Sequence, residues 1–160
     1  MATPIARTPY VRLPETEIVL SEEEQILETF YRYAFGIDTV SFENMAYALA
    51  EDAVINMAPF GSMDKRTFVQ TLKYQRMRDR HWIHPVIPKK IIINGDKAEV
   101  YLTRLAGHDE RYLEFTPENV KQVLACGRYE LKMQKESEGW KITKFDYLFG
   151  GFPVTDEKNQ

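Results

Sequence analysis

Cysteine is nearly absent: Cys126 is the single one in 160 residues. That excludes an internal disulfide and any zinc or iron–sulfur site built from several thiolates. Histidine is almost as scarce, with His81, His84 and His108 the whole supply. Metal binding and imidazole chemistry are confined to those positions. Long apolar runs are missing as well: nowhere do about 18 apolar residues stand together, which excludes a helical membrane span. No run of signal-peptide length follows the two arginines and three prolines of MATPIARTPYVRLPETE. A soluble, cytoplasmic protein is therefore expected. The formal net charge of −3 gives no reason to expect nucleic acid or an anionic membrane as partner. The chain has no Walker motif, no GxGxxG loop and no GxSxG elbow, so nucleotide cofactors and serine hydrolysis have no support, and no cofactor is expected.

What is present suits one globular domain. Hydrophobic residues make up 44% and charged residues 28%, with nine Phe, nine Tyr and two Trp. A chain of this length buries roughly two-thirds of its unfolded surface, enough for a core and an enclosed cavity. The expected division is an N-terminal arm over 1–17, one domain over 18–152 and a polar tail over 153–160.

Helical spacing dominates the first half. In SEEEQILETFYRYAFGID, Ser21 and Glu24 have the spacing of a capping box, and three acids suit the first turn. Ile26, Phe30, Tyr33 and Ile37 then share one face, with Leu27 and Ala34 beside them, and Gly36 marks the expected exit. Ser41 is the expected cap of a shorter helix carrying Phe42, Met45 and Leu49 inward. A strand over Ala53–Ala58 ends at Pro59 and Gly61. A third helix opens at Ser62 or Asp64 and runs to about Met77, with Phe68, Val69 and Leu72 as its stripe.

The second half changes to a period of two. His81–Ile93 reads as a strand interrupted at Pro85 and Pro88, with an edge or bulge there. Asn94-Gly95 signals a hairpin. Ala98, Val100, Leu102 and Ala106 share one side of the return strand. Val123, Ala125, Gly127, Tyr129, Leu131 and Met133 share one side of the next, and Trp140–Phe149 is the last. Helices first and antiparallel hairpins second make the fold α+β, three helices covering the apolar face of a curved sheet and leaving a pocket.

His81 and His84, three positions apart on a strand, point to opposite faces and do not share an ion without a bulge, so no metal is expected. Trp82 reads as edge packing. Cys126, opposite the Gly127/Tyr129 face, reads as a small packing residue. Lys89-Lys90 reads as surface charge. Asp38, just past the first helix, has two readings. It can cap the next helix, or it can point inward, toward His84 at the head of the sheet. In the second case the carboxylate fixes the imidazole tautomer and makes a metal-free general base.

The ordered segments FYRYAFGIDTVSFENMAYALAEDAVINM, RHWIHP, IIINGDKAEVYLTR and GRYELKMQKESEGWKI, over about 21–149, resemble the SnoaL-like group of the nuclear transport factor 2-like superfamily. That superfamily includes dehydratases, a dehydrochlorinase, ketosteroid isomerase and polyketide cyclases. The resemblance implies a cone-shaped α+β barrel, often a dimer or trimer. It also implies a cofactor-independent lyase, isomerase or cyclase for a small, largely apolar polyketide-, terpenoid- or aromatic-type substrate. Within its dehydratase branch the Asp–His dyad matches Asp38 in GID and His84 in WIH, and a second pocket histidine matches His108 in GHDERY. Tyr33, Met57, Phe60, Phe68 and Tyr129 are then the expected substrate-binding side chains, Phe30 a further wall. The branch's two water-holding tyrosines fall at Ile37 and Met57, and its serine and asparagine near Gly127 and Tyr129. The electrophilic half is therefore either missing or rebuilt, with Tyr129, Tyr33, Tyr47 or Asn56 as candidates in the second case. A non-catalytic ligand-binding or structural subunit of the same fold is the alternative.

Overall fold

In the computed structural model of the chain, residues 19–57, 61–78, 81–110 and 121–149 are described. The first helix, α1, spans Glu22–Asp38 and starts by a local rule. The Glu24 amide donates to Ser21 Oγ at 3.3 Å, and the Ser21 amide donates to Glu24 Oε2 at 2.7 Å. The helix buries Ile26, Phe30, Tyr33, Ala34 and Ile37, the face that its spacing predicts.

Its end differs from expectation. Gly36 lies inside α1, not at its exit. A Cβ at Gly36 would stand 2.7 Å from the Met45 amide nitrogen, so glycine serves here to let α2, Phe42–Tyr47, approach closely. The helix closes two residues later, where the Thr39 amide donates to Phe35 O at 2.9 Å. Val40 then turns the chain with φ at 62°, in the left-handed region that a β-branched residue rarely enters. Ser41 precedes α2 but makes no side-chain cap; its Oγ accepts from Asn44 Nδ2 at 2.7 Å instead.

The first strand, β1, is Leu49–Met57, longer at its start than the expected strand, with Leu49 buried in it rather than on α2. A short β2, Gly61–Asp64, follows where the pattern predicted the opening of a helix. The third helix, α3, is Lys65–Arg78, capped by Asp64 Oδ1 accepting from the Thr67 amide at 2.7 Å. The described helices all fall in the first half of the chain, but β1 and β2 separate α2 from α3. No described helix is long and apolar enough to cross a membrane.

The remaining strands are β3 (His81–Ile83), β4 (Val86–Asn94), β5 (Lys97–Glu110), β6 (Lys121–Glu136) and β7 (Gly139–Phe149). With β1 and β2 they make one seven-stranded sheet ordered β2-β1-β7-β6-β5-β3. β4 also pairs with β5, so β3 and β4 lie end to end along one edge of β5. The β1–β7 pair is parallel and the other described pairs are antiparallel. The expected irregularity at the prolines takes two forms, a break at His84-Pro85 and a register shift between Pro88 and Lys90.

Inward positions of the sheet meet α1 and α3 in a core where Phe30, Phe68 and Phe145 are fully buried. The Tyr33 ring stacks on Phe68 at 6.3 Å and 10°, and Tyr129 tilts against Phe145 at 4.8 Å. Cys126 is exposed on the outer side of β6, so it is not the packing residue expected.

Candidate active site

Asp38 is the last residue of α1, and His84 sits in the two-residue break between β3 and β4. The break matters because a residue before proline is held extended and the ladder is interrupted there. The His84 amide therefore donates not to a neighbouring strand but to Asp38 Oδ2, at 3.0 Å. The other carboxylate oxygen, Oδ1, lies 2.5 Å from His84 Nδ1. One carboxylate thus grips the backbone and the ring of the same histidine. With the Nδ1 proton directed at Asp38, the tautomer leaves Nε2 as the basic nitrogen. The His84 side chain is 5% exposed and that of Asp38 25%. Of the two readings of Asp38, the structure selects the inward one: it bonds His84 and does not cap α2.

Two further side chains reach the same interior. Arg104 on β5 is 7% exposed, in phase with the buried Ala98, Val100 and Leu102. Pro85 O accepts from the Leu105 amide at 2.9 Å, which ties Arg104's strand to the kink that carries His84. The Arg104 Nη1 donates to Tyr147 Oη at 2.5 Å. Its guanidinium carbon stands 4.9 Å from the Tyr147 ring centre and 5.7 Å from that of Tyr129. Gly127, the β6 partner of Arg104, makes room for this: a Cβ there would meet Tyr147 Cε2 at 2.8 Å.

The phenols report the same neighbourhood. Burial pushes the Tyr33 hydroxyl well above the ordinary phenol range; Asp38 adds to this rise and the positive charge of Arg104 opposes it. Burial also raises Tyr129, again with Arg104 opposing and Asp38 assisting. Tyr147 is raised by burial and pulled back by the charge and the hydrogen bond of Arg104. All three remain neutral donors at physiological pH. Tyr33 and Tyr129 thus lie within electrostatic reach of both Asp38 and Arg104.

The expected site residues divide accordingly. Asp38 and His84 are in direct contact, and Tyr33 and Tyr129 lie within electrostatic reach of Asp38, with Phe68 fully buried behind Tyr33 and Phe30 beside it. Met57 is half-buried at the end of β1, opposite Tyr147 of β7. His108 is on β5 opposite Trp82; its side chain, like the whole of Phe60, lies outside the described residues. Tyr47 and Asn56 are placed elsewhere. The Tyr47 ring is 42% exposed between Arg32 and Lys141, and Asn56 donates to Asp146 Oδ1 on the side of the sheet opposite buried Ile55. Arg104 and Tyr147 were not anticipated. Their signal was present: a charged residue in phase with Ala98, Val100 and Leu102 on a strand is a buried cation in waiting.

Residues 19–146 match the SnoaL-like domain, and the chain belongs to that family. Among solved structures, a protein of Kribbella flavida shares 17% identity at a TM-score of 0.73, over 81% of this chain and 90% of its own. A candidate scytalone dehydratase of Novosphingobium aromaticivorans shares 21% at 0.68, over 87% and 95%. A hexachlorocyclohexane dehydrochlorinase of type 2 shares 14% at 0.70, over 86% and 92%. At these identities the likeness is one of fold. No curated protein matches.

Proposed function

We propose that the protein is a cofactor-independent lyase or isomerase, dehydratase- or cyclase-like, acting on a small, largely apolar substrate with His84 as general base. The observation that carries this is the two-point grip of Asp38 on the buried His84. A carboxylate at Nδ1 orients the ring and stabilises the imidazolium that forms when Nε2 takes a proton from carbon. That C–H electron pair then moves into a neighbouring carbonyl or expels a leaving group. The neutral hydroxyls of Tyr33 and Tyr129 are donors for the departing or developing anion. His108 is the further acid in this scheme, and Met57, Phe60 and Phe68 are walls for the hydrocarbon. Asp38 on the α2 cap with His84 facing solvent would have favoured the non-catalytic alternative. The observed pairing favours the enzyme instead.

The test is proton exchange at carbon. A panel of α-aryl ketones is incubated with the protein in D2O, and loss of the α-proton resonance is followed by NMR. The native protein is expected to catalyse exchange in at least one of them. His84→Ala and Asp38→Asn should each slow it roughly 100-fold or more while leaving the far-ultraviolet circular dichroism unchanged. Full rates in both variants, or no exchange anywhere in the panel, would overturn the proposal.

A further inference from the structure

The inward faces of β5, β6 and β7 hold a permanently charged group that the base chemistry does not itself require. Taking a guanidinium out of water is costly unless its surroundings repay it. Here the surroundings are specific: Tyr147 Oη accepts from Nη1, two aromatic faces lie against the cation, and Gly127 is kept free of a side chain so that Tyr147 can take up its position. Residues of three strands therefore converge on holding one positive charge in the region of His84. Arginine stays charged at any working pH, and the buried phenols stay protonated. The interior is polarised, with the Asp38 carboxylate behind the base and the Arg104 cation on the sheet.

That polarity matches one movement of charge. When carbon next to a carbonyl loses its proton, the C–H bond breaks and its electron pair forms a C=C bond. The C=O π pair moves onto oxygen, and the proton stays on His84 Nε2. Negative charge thus appears on an oxygen, some ångströms from the base, where a fixed cation and oriented hydroxyls stabilise it. Return of the proton at another carbon completes an isomerisation. Loss of a β-leaving group with its bonding pair, which then takes the proton, completes an elimination.

We propose that Arg104, positioned by Tyr147, is the oxyanion-binding group of this site, and that the substrate is an enolisable ketone, ester or acid rather than a carbonyl-free hydrocarbon or halide. This rests on the assignment of His84 as base, and its test is chosen to be independent of turnover. The probe is 4-nitrophenol, whose ionised form is yellow and mimics an enolate oxygen, with nitrobenzene as the neutral isostere. The native protein is expected to bind the ionised form in preference, lowering the apparent pKa of the bound dye by about one unit, a tenfold preference. Arg104→Gln should abolish that preference with nitrobenzene affinity unchanged. His84→Ala should keep it, because the oxygen is held by the sheet and not by the base. A native protein that ignores the dye or shows no preference for its ionised form overturns the assignment. So does a preference that survives in Arg104→Gln, or one that vanishes only in His84→Ala. If Arg104→Gln fails to fold by circular dichroism, Tyr147→Phe and Arg104→Lys decide: each should weaken the preference about threefold or more, and an unchanged preference in both overturns the proposal. Failure of the exchange experiment with the dye preference intact would remove the base and leave the anion site.

Discussion

The two ends of α1 obey opposite rules. At the N-terminus everything serves the helix: Ser21 and Glu24 cap each other, and Glu22, Glu23 and Glu24 face the positive end of the dipole. At the C-terminus almost nothing does. The last turn has no basic residue, and it ends on Asp38, a carboxylate at the negative pole. Val40 turns the chain out through a strained φ of 62°. The difference separates residues that make the helix from residues for which the helix is a mount. The exposed end is optimised locally; the inward end accepts local cost to deliver an acid to His84.

The sharpest way to break this comparison is to neutralise the inward end. Asp38→Asn keeps the shape and removes the charge that orients and compensates His84. Exchange activity should fall roughly 100-fold or more, while the thermal midpoint stays within a few degrees of the native value. A loss of folding in step with activity would show that Asp38 is a structural residue after all.

Gly36→Ala comes next. By helix propensity alone alanine is better than glycine by about 1 kcal/mol. Yet the new Cβ would meet the Met45 amide nitrogen at 2.7 Å and Met45 Cβ at 2.9 Å. Backbone does not yield as a flexible side chain does, so α2 must shift, and a net loss of about 1–3 kcal/mol is expected from denaturant melts. A stabilised variant would mean that Gly36 is a helix defect and not a packing device.

These two residues also show what was legible in the sequence. The start of α1, the Asn94-Gly95 hairpin and the alternation through Leu102 and Leu131 depend on neighbours in the chain, and they were read correctly. The end of α1 was misread because the role of Gly36 is set by α2, which no local rule sees. β2 was missed because four residues show too little alternation and Asp64 also signals a helix start. Asp38 and His84 stand out in the sequence as a candidate pair, helped by the family resemblance, and they do meet. Their two-point contact depends on a break at Pro85 whose consequence is three-dimensional. Arg104 is hidden by its own strand: the alternation of Ala98, Val100 and Leu102 marks an apolar face, and only the fold shows that the charged residue in phase with it is buried too.

Val40 supplies a smaller effect of opposite sign. Glycine adopts a φ of 62° without steric cost, so Val40→Gly should relieve strain of about 1–3 kcal/mol and give back roughly 1 kcal/mol in unfolded-chain entropy. A net gain of up to about 2 kcal/mol is expected, seen as a higher denaturation midpoint. Exchange activity should drop a few-fold, because the turn that follows Asp38 becomes looser. If activity rises together with stability, the strain is no part of how the acid is held.

The exposed end gives the gentlest test and a sign that can be worked out. Ser21→Ala should cost about 1 kcal/mol at neutral pH and leave exchange unchanged, since nothing at this end touches His84. The hydrogen bonds from the Ser21 side chain, then its backbone, hold the Glu24 carboxyl below its ordinary 4.5. A carboxyl whose pKa is lower folded than unfolded binds fewer protons in the native state, so its stabilising share is complete above about pH 4.5 and is lost as pH falls through the depressed value. Thermal melts of the two proteins should therefore be furthest apart at neutral pH and converge as Glu24 is protonated in both. A gap that stays constant down to strong acid would mean that the cap works through the serine hydroxyl alone. A gap that appears only in acid would mean that the N-terminal end, like the C-terminal one, is held by tertiary contacts rather than by its own first turn.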